Sequence, residues 1–293
     1  MKTLSTAAFR AAHEFILTNA RLIDRHRFAF HFQNGPAAAV RAALLPYANP
    51  DGGFGNALEP DLRGAGSQPV PIEVGLHVLH EIGAHGDPLA AAAADYLPTI
   101  TTDAGGVPFV GPDPEPCGPW WTDAPSEASV NPTASIVGLL HALRIEHPWR
   151  DRAEEFCWNA IKALPGNRIE PYDARAILVL LDHHPDRDRA AATLADLRDS
   201  LLAVVTLDPD APGHIHRPID IATTPDRIAT TLFDQATMDR QLDWLLDTQL
   251  PDGGWDIDFP AWCPATGPEW RGNLTVGRLL TLRAYGRLAA SNS

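Results

Sequence analysis

Three segments of this chain repeat one pattern: Asn49-Pro50-Asp51-Gly52-Gly53-Phe54, Thr102-Asp103-Ala104-Gly105-Gly106-Val107 and Leu250-Pro251-Asp252-Gly253-Gly254-Trp255. Each carries an aspartate, a glycine pair and then a hydrophobe. Self-similarity at a fixed period marks a repeat architecture, and the first two glycine pairs stand one period of about 50 residues apart. The second and third stand about three such periods apart, so two degenerate copies are expected between them. Leu164-Pro165-Gly166 and Asp210-Ala211-Pro212-Gly213 fall where those copies are needed. Glycine-ended loops thus punctuate the whole chain.

Between the loops the apolar residues recur at helical spacing. Leu242, Leu245, Leu246 and Gln249 share one face, as do Ile136, Leu139, Leu140 and Leu143. Helices are expected over 37–47, 88–97, 149–164, 187–205 and 233–249 before the loops. Others are expected over 70–82, 132–145, 172–183, 225–232 and 274–288 after them, with one more near 7–23. Asn131 followed by Pro132 reads as an N-cap and first helical turn. No stretch alternates polar and apolar residues over strand length. Helix pairs stacked at a fixed period are αα-hairpins. The long loops, and second helices that are apolar nearly all round (Ala174–Leu181, Val276–Leu282), favour an inner ring covered by an outer one. The expected fold is all-α: an α/α toroid, an (α/α)6 barrel of about six hairpins in a single domain spanning 1–293, with the glycine loops at one end.

Composition bounds the partners. The chain has 293 residues, 45% hydrophobic and 20% charged, enough apolar residue for a buried core and against wholesale disorder. Its formal net charge of −14 lacks the basic footprint of a nucleic-acid binder. No apolar run approaches the ~18–20 residues of a membrane span, although transient contact with a membrane surface stays compatible. The first residues show no secretion signal. Cys117, Cys157 and Cys263 are odd in number and widely spaced, which fits a reducing cytoplasm better than a disulfide framework.

The stretch Trp244-Leu245-Leu246-Asp247-Thr248-Gln249-Leu250-Pro251-Asp252-Gly253-Gly254-Trp255 resembles the QW repeat of the terpenoid cyclase and protein prenyltransferase β-subunit superfamily, and Asn49–Gly55 resembles a weaker copy with Phe54 for the tryptophan. The motif has a physical logic: glutamine caps the outer helix, glycines permit the turn, and the aromatic wedges between hairpins. At this length the resemblance implies a single-barrel relative of the squalene-hopene-like cyclases. In that family the protonating acid opens an inner helix just past a Gly-Gly-Trp loop. Asn131 and Asn273 stand at two such positions here, whereas Glu170-Pro171-Tyr172-Asp173 keeps two acids. Asp173 matches the acid position, and Tyr172 replaces the neighbouring carboxylate. No DDxxD run exists to hold magnesium and diphosphate. Asp256-Ile257-Asp258 precedes Cys263 at the wrong spacing for a prenyltransferase zinc site, and no histidine follows. No metal and no cofactor are therefore expected.

Two further acid pairs follow glycine loops, Glu59 with Asp61 and Asp256 with Asp258. Neighbouring carboxylates can keep one proton near neutral pH, as a general acid requires. The same residues could instead be solvated, paired with Arg63 and Arg271. Phe54, Trp120, Trp121, Trp255, Trp262 and Trp270 lie in the post-glycine loops, where aromatic faces can stabilise a carbocation by ~2 kcal/mol or more each when desolvated. With Arg63 and Arg271 they form the candidate substrate-binding set. Their structural alternative is loop padding. His214-Ile215-His216 with Asp220 offers a weak metal pattern, read as structural histidines. His183-His184 reads as a pair at a helix C-terminus, interacting with its dipole. The cysteines read as ordinary thiols.

The expected function is protonation-initiated cyclisation or isomerisation of an isoprenoid or polyene in an aromatic-lined cavity, making the chain a terpenoid cyclase-like isomerase or lyase. A carbohydrate-active (α/α)6 enzyme also pairs carboxylates with tryptophans. A non-catalytic binder of a hydrophobic ligand fits Asn131 and Asn273.

Overall fold

The three glycine-pair segments fold into the same turn. The N–H groups of Asn49, Thr102 and Leu250 donate to the carbonyls of Gly53, Gly106 and Gly254 at 2.9, 3.0 and 2.9 Å. Those of Gly52, Gly105 and Gly253 donate back to Asn49, Thr102 and Leu250 at 3.0, 3.0 and 2.9 Å. The latter glycines hold φ of +96°, +99° and +92°, the left-handed region that glycine enters without a Cβ penalty. Asp51 and Asp252 accept the Gly53 and Gly254 N–H at 2.9 and 3.0 Å, so the aspartate braces its own turn. The following Phe54, Val107 and Trp255 are buried. Gln249 donates to the Gly253 carbonyl at 2.8 Å and to the Ala8 carbonyl at 2.9 Å, tying the last turn to the first helix. Gln249→Ala should lower unfolding free energy by about 1–2 kcal/mol, two half-buried hydrogen bonds' worth. An unchanged urea midpoint would contradict this.

The computed structural model describes residues 2–122, 124–164 and 168–289, so the expected turn at Leu164-Pro165-Gly166 falls mostly outside the described residues. Among the described residues there are twelve α-helices and no strand; extended segments meet only at isolated bridges such as Leu62–Cys117. In chain order they are α1 (Thr6–Asn19), α2 (Leu22–Phe32), α3 (Ala37–Leu44), α4 (Pro69–Glu81), α5 (Pro88–Tyr96), α6 (Val130–Ala142), α7 (Pro148–Lys162), α8 (Pro171–His183), α9 (Arg187–Ala203), α10 (Pro218–Ile221), α11 (Gln235–Asp247) and α12 (Thr266–Ala284). The chain is all-α. Among the described residues no helix is long and apolar enough to cross a membrane. Prolines open α4, α5, α7, α8 and α10, where no backbone N–H is needed. Asp87, Asp186 and Asp234 cap α5, α9 and α11 through their side chains.

Backbone contacts gather the chain into two compact units, Leu44–Val204 and the segments up to Ala43 and from Val205 onward. The Leu44–Val204 unit consists of three hairpins, α4–α5, α6–α7 and α8–α9. Within it α4, α6 and α8 run parallel. At their heads the Asn131 N–H donates to Asp173. At their tails the Gly86 N–H, just past α4, donates to Leu143 just past α6, and the His80 ring meets His183 at 4.7 Å. The helix α6 is buried from Pro132 to Leu140. A Cβ on its Gly138 would lie 2.6 Å from the Val179 carbonyl oxygen, so α6 and α8 approach as closely as backbones allow. In contrast α7 buries one stripe, Trp149, Ala153, Cys157 and Ile161. Within this unit α6 is thus buried nearly all round, while α7 is amphipathic.

The second unit departs more from expectation. The single helix expected near 7–23 is two, because Ala20 and Arg21 are extended (ψ 156° and 157°). The break places Ala20 against Gly272, where a Cβ would meet its side chain at 2.7 Å. It also lets Arg21 and Arg27 flank the fully buried Asp24 at 3.0 and 2.9 Å. Helix α12 starts at Thr266 rather than near 274. Its polar first turns hide it from a periodicity argument. The expected helix over 225–232 is a 3-10 turn, Ile228–Leu232, preceded by the short α10.

Candidate functional site

The heads of α4, α6 and α8 carry a layer of polar loops. Gln68, the residue before α4, is buried and clamps the loop after the second glycine turn: it donates to the Pro112 carbonyl at 2.7 Å and accepts the Gly111 N–H at 2.8 Å. Leu62 bridges to Cys117, the Gly118 N–H donates to the Asp61 carbonyl at 2.8 Å, and Trp121 stacks on Phe109 at 4.8 Å within an apolar cluster that includes Leu62, Val70 and Cys117. In this layer Glu59 and Asp61 are 5% and 3% exposed, unlike solvated loop carboxylates. The backbone leading into them is strained. Asn56 and Ala57 hold consecutive positive φ of 56° and 63°, of order 1–3 kcal/mol each where a side chain is present. Their partners, Gly64 for the Asn56 N–H and Asn49 for its side-chain amide, keep that conformation in place. Arg63 donates to the Pro116 carbonyl from its backbone and to Pro60 from its guanidinium.

Asp173 stands at the head of α8, where Oδ1 accepts the Asn131 N–H at 3.0 Å. Burial pushes its carboxyl pKa up, the Asn131 N–H opposes this, and nearby Glu170 adds to the rise. Arg175, the neighbour able to lower it, lies instead over the Tyr172 ring at 5.8 Å.

The remaining sequence candidates are dispersed. Trp120 is 46% exposed, whereas Phe54 packs in the core against Gly75. In the other unit Trp255 is buried and donates to the Leu245 carbonyl at 2.8 Å, and Trp270 meets Phe259 edge-on. Trp262 is partly buried nearby in sequence. Asp256 lies 3.6 Å from Arg271, which grips Asp252 in a two-pronged pair. Asp258 pairs with His214 at 2.7 Å and with Arg217 at 3.5 Å. Asp220 is engaged by Arg278 and the Arg217 N–H, so the His214–His216–Asp220 pattern does not assemble into a metal-ligand group.

A cluster not legible from sequence lies at the opposite end, at the tails of α6 and α8. Glu154 of α7 accepts hydrogen bonds from His141 Nε2 at 2.7 Å, His184 Nε2 at 2.9 Å and Trp158 Nε1 at 3.1 Å. His141 ends α6 and His184 caps α8, so three helices converge on one carboxylate. The three ligand atoms, one from each of His141, Glu154 and His184, lie within 4.8 Å of one another; among the described residues no other such group occurs. The hydrogen bond from His141, foremost, with those from His184 and Trp158, holds the Glu154 carboxyl down at about 2 against the opposing effect of burial. A carboxyl with a depressed folded-state pKa stabilises the fold above its ordinary value, and that contribution is lost as pH falls. Acid unfolding should therefore steepen between about pH 4.5 and pH 2. In Glu154→Gln that limb of a stability–pH curve should flatten; an unaltered limb would show the coupling to be absent. His183-His184 was expected to act on a helix dipole. His184 does cap α8, but its ring is committed to Glu154.

No known family model matches this chain, and no curated protein matches it.

Proposed function

We propose that the heads of α4, α6 and α8 form an acid–base site, and that the chain is a terpenoid cyclase-like enzyme that protonates an isoprenoid or polyene. The hairpin row of the Leu44–Val204 unit, with parallel apolar helices inside, is read as part of an α/α toroid. The observation that carries the functional reading is Asp173: a half-buried carboxyl at the head of α8, an apolar helix, raised in pKa by desolvation. Such a group stays protonated closer to neutral pH, as a general acid must. With Oδ1 occupied by the Asn131 N–H, the transferable proton sits on Oδ2. That proton adds to a substrate C=C bond, leaving a carboxylate and a carbocation. Loss of a neighbouring C–H proton to a carboxylate, Glu59 or Asp61, restores neutrality and completes an isomerisation. The stacked Phe109–Trp121 pair supplies aromatic surface in the same loop layer.

The test is incubation of the full chain with prenyl diphosphates and linear polyenes, followed by mass detection of products. Rearranged or cyclised products of unchanged mass support the reading. Binding of the same molecules without turnover would favour the non-catalytic alternative.

A further inference from the structure

We propose that His141, Glu154 and His184 form a mononuclear site for a divalent first-row transition metal, with zinc as the representative ion, at the tails of α6 and α8 and independent of the acid–base site. The donor set is two imidazoles and one carboxylate, which suits zinc and its neighbours, whereas magnesium and calcium favour oxygen alone. The donors already converge on one carboxylate. Both Nε2 atoms face the carboxylate, one on each oxygen. A tetrahedral ion with bonds of ~2.0–2.1 Å separates its ligands by about 3.3 Å. The contacts of 2.7 and 2.9 Å, one to each oxygen, would spread by about half an ångström, while the ligand atoms, now within 4.8 Å of one another, would settle to that spacing about the ion.

The site is supported and accessible. His141, Glu154 and His184 side chains are 11%, 20% and 6% exposed, so the helices rather than solvent fix their positions. Trp158 donates to Glu154 and its ring lies 3.6 Å beneath the Arg189 guanidinium, which braces the carboxylate from behind. Glu154 also lines a surface cavity of about 320 Å³ bounded by Asp151, Glu155, Asn159, Lys162 and Arg189. Three protein ligands leave a fourth position free, as catalytic rather than structural zinc sites do, and Glu154 is the ligand that borders the cavity. An ion here would carry its fourth ligand, water or a small anion reaching Lys162 or Arg189, on the Glu154 side.

The second shell gives a signature. His184 Nδ1 lies 3.1 Å from the Asp186 N–H and 3.4 Å from the Asp186 carbonyl. Without metal, the ring proton is required on Nε2 for Glu154, and Nδ1 accepts from Asp186. A metal on Nε2 forces the proton to Nδ1, toward the Asp186 carbonyl. Zinc binding and a tautomer change at His184 are therefore one event.

Zinc added to the metal-free full chain, read by calorimetry and by elemental analysis after dialysis, should bind at one ion per chain. Glu154→Gln and His141→Gln should each weaken it at least about 100-fold, while a His214→Ala/His216→Ala double variant binds as the parent does. Circular dichroism reports whether each variant folds. Nitrogen-15 spectra of the unsubstituted protein, which need no variant, should show the His184 proton moving from Nε2 to Nδ1 as zinc is added. The proposal is overturned if the parent retains no zinc. It is equally overturned if folded Glu154→Gln binds as tightly, or if zinc leaves the His184 tautomer unchanged; the cluster is then a hydrogen-bonded tie between helices.

Discussion

Replacing Asp173 with asparagine should reduce product formation by about 10²–10⁴-fold, the usual contribution of a positioned general acid, without lowering stability at pH 7. Asparagine keeps the size of the side chain, and its Oδ1 can still accept the Asn131 N–H. Only the proton and the charge are lost. Two effects on stability oppose each other. A carboxylate in the first turn of α8 interacts favourably with the helix dipole, worth about 0.3–1 kcal/mol when exposed. Burial penalises that same charge, and the upward pKa shows burial to be the larger effect. With its folded pKa above the unfolded one, the carboxyl favours the fold most at pH below its unfolded value. That advantage disappears as pH rises through the folded value. At pH 7 the parent bears a penalty that Asp173→Asn lacks, so the variant's Tm should equal or exceed the parent's, and the difference should vanish in acid. A lower Tm at pH 7 with unchanged turnover would make Asp173 a structural residue and pass the acid role to Glu59 or Asp61.

The largest stability loss should come from a single methyl group. Gly253 and Gly213 have nearly the same left-handed backbone, φ +92° and +93°. A Cβ on Gly213 would meet nothing within 4 Å, whereas one on Gly253 would lie 2.2 Å from the Ala11 carbonyl oxygen. Gly213→Ala should therefore show the conformational penalty alone, about 1–2 kcal/mol. Gly253→Ala adds a clash with helical backbone, which cannot rotate aside as a side chain would. Relieving it means moving α1 off the turn, and with it the Gln249 bond to Ala8. A loss of at least about 4 kcal/mol is expected, comparable to a severe core truncation. At roughly 2–4 °C per kcal/mol for chains of this size, Gly253→Ala should melt at least about 8 °C below the parent, and Gly213→Ala only a few degrees below. Equal effects at the two sites would show that the α1 contact yields freely.

The turn itself was legible in the sequence because every interaction that makes it is local. Asp252 braces Gly254 two residues on, Gly253 supplies the positive φ, and the bonds between Leu250 and Gly254 close the loop. The same holds for Asp51, Gly52 and Gly53. Apolar residues recurring at helical spacing likewise made α4, α6, α8 and α11 readable, although α6 is buried nearly all round and α11 on one stripe. Where the local signal was polar or continuous, it misled. Nothing between Ala7 and Ile23 announces a break at Ala20. The break is set by the close approach of Gly272 and by the burial of Asp24 between two arginines.

The candidate sites divide along the same line. Asp173 could be placed from its position before an apolar helix, but its raised pKa depends on burial by surrounding elements. The Glu59–Asp61 segment was visible as two acids, while Gln68 gave no signal. Its clamp on Gly111 and Pro112 spans more than forty positions of chain. The cluster of His141, Glu154 and His184 had no motif at all. Its members come from three helices, and they meet because α6, α7 and α8 pack in one register, closest where Gly138 lets α6 touch the backbone of α8. Sequence alone determined the glycine-pair turns and the helices α4, α6, α8 and α11, since those are governed by φ preferences and contacts a few residues apart. Only the tertiary structure decided which polar side chains share a site, because that depends on the axial offset of packed helices, where a shift of one residue, about 1.5 Å, already misaligns a hydrogen bond.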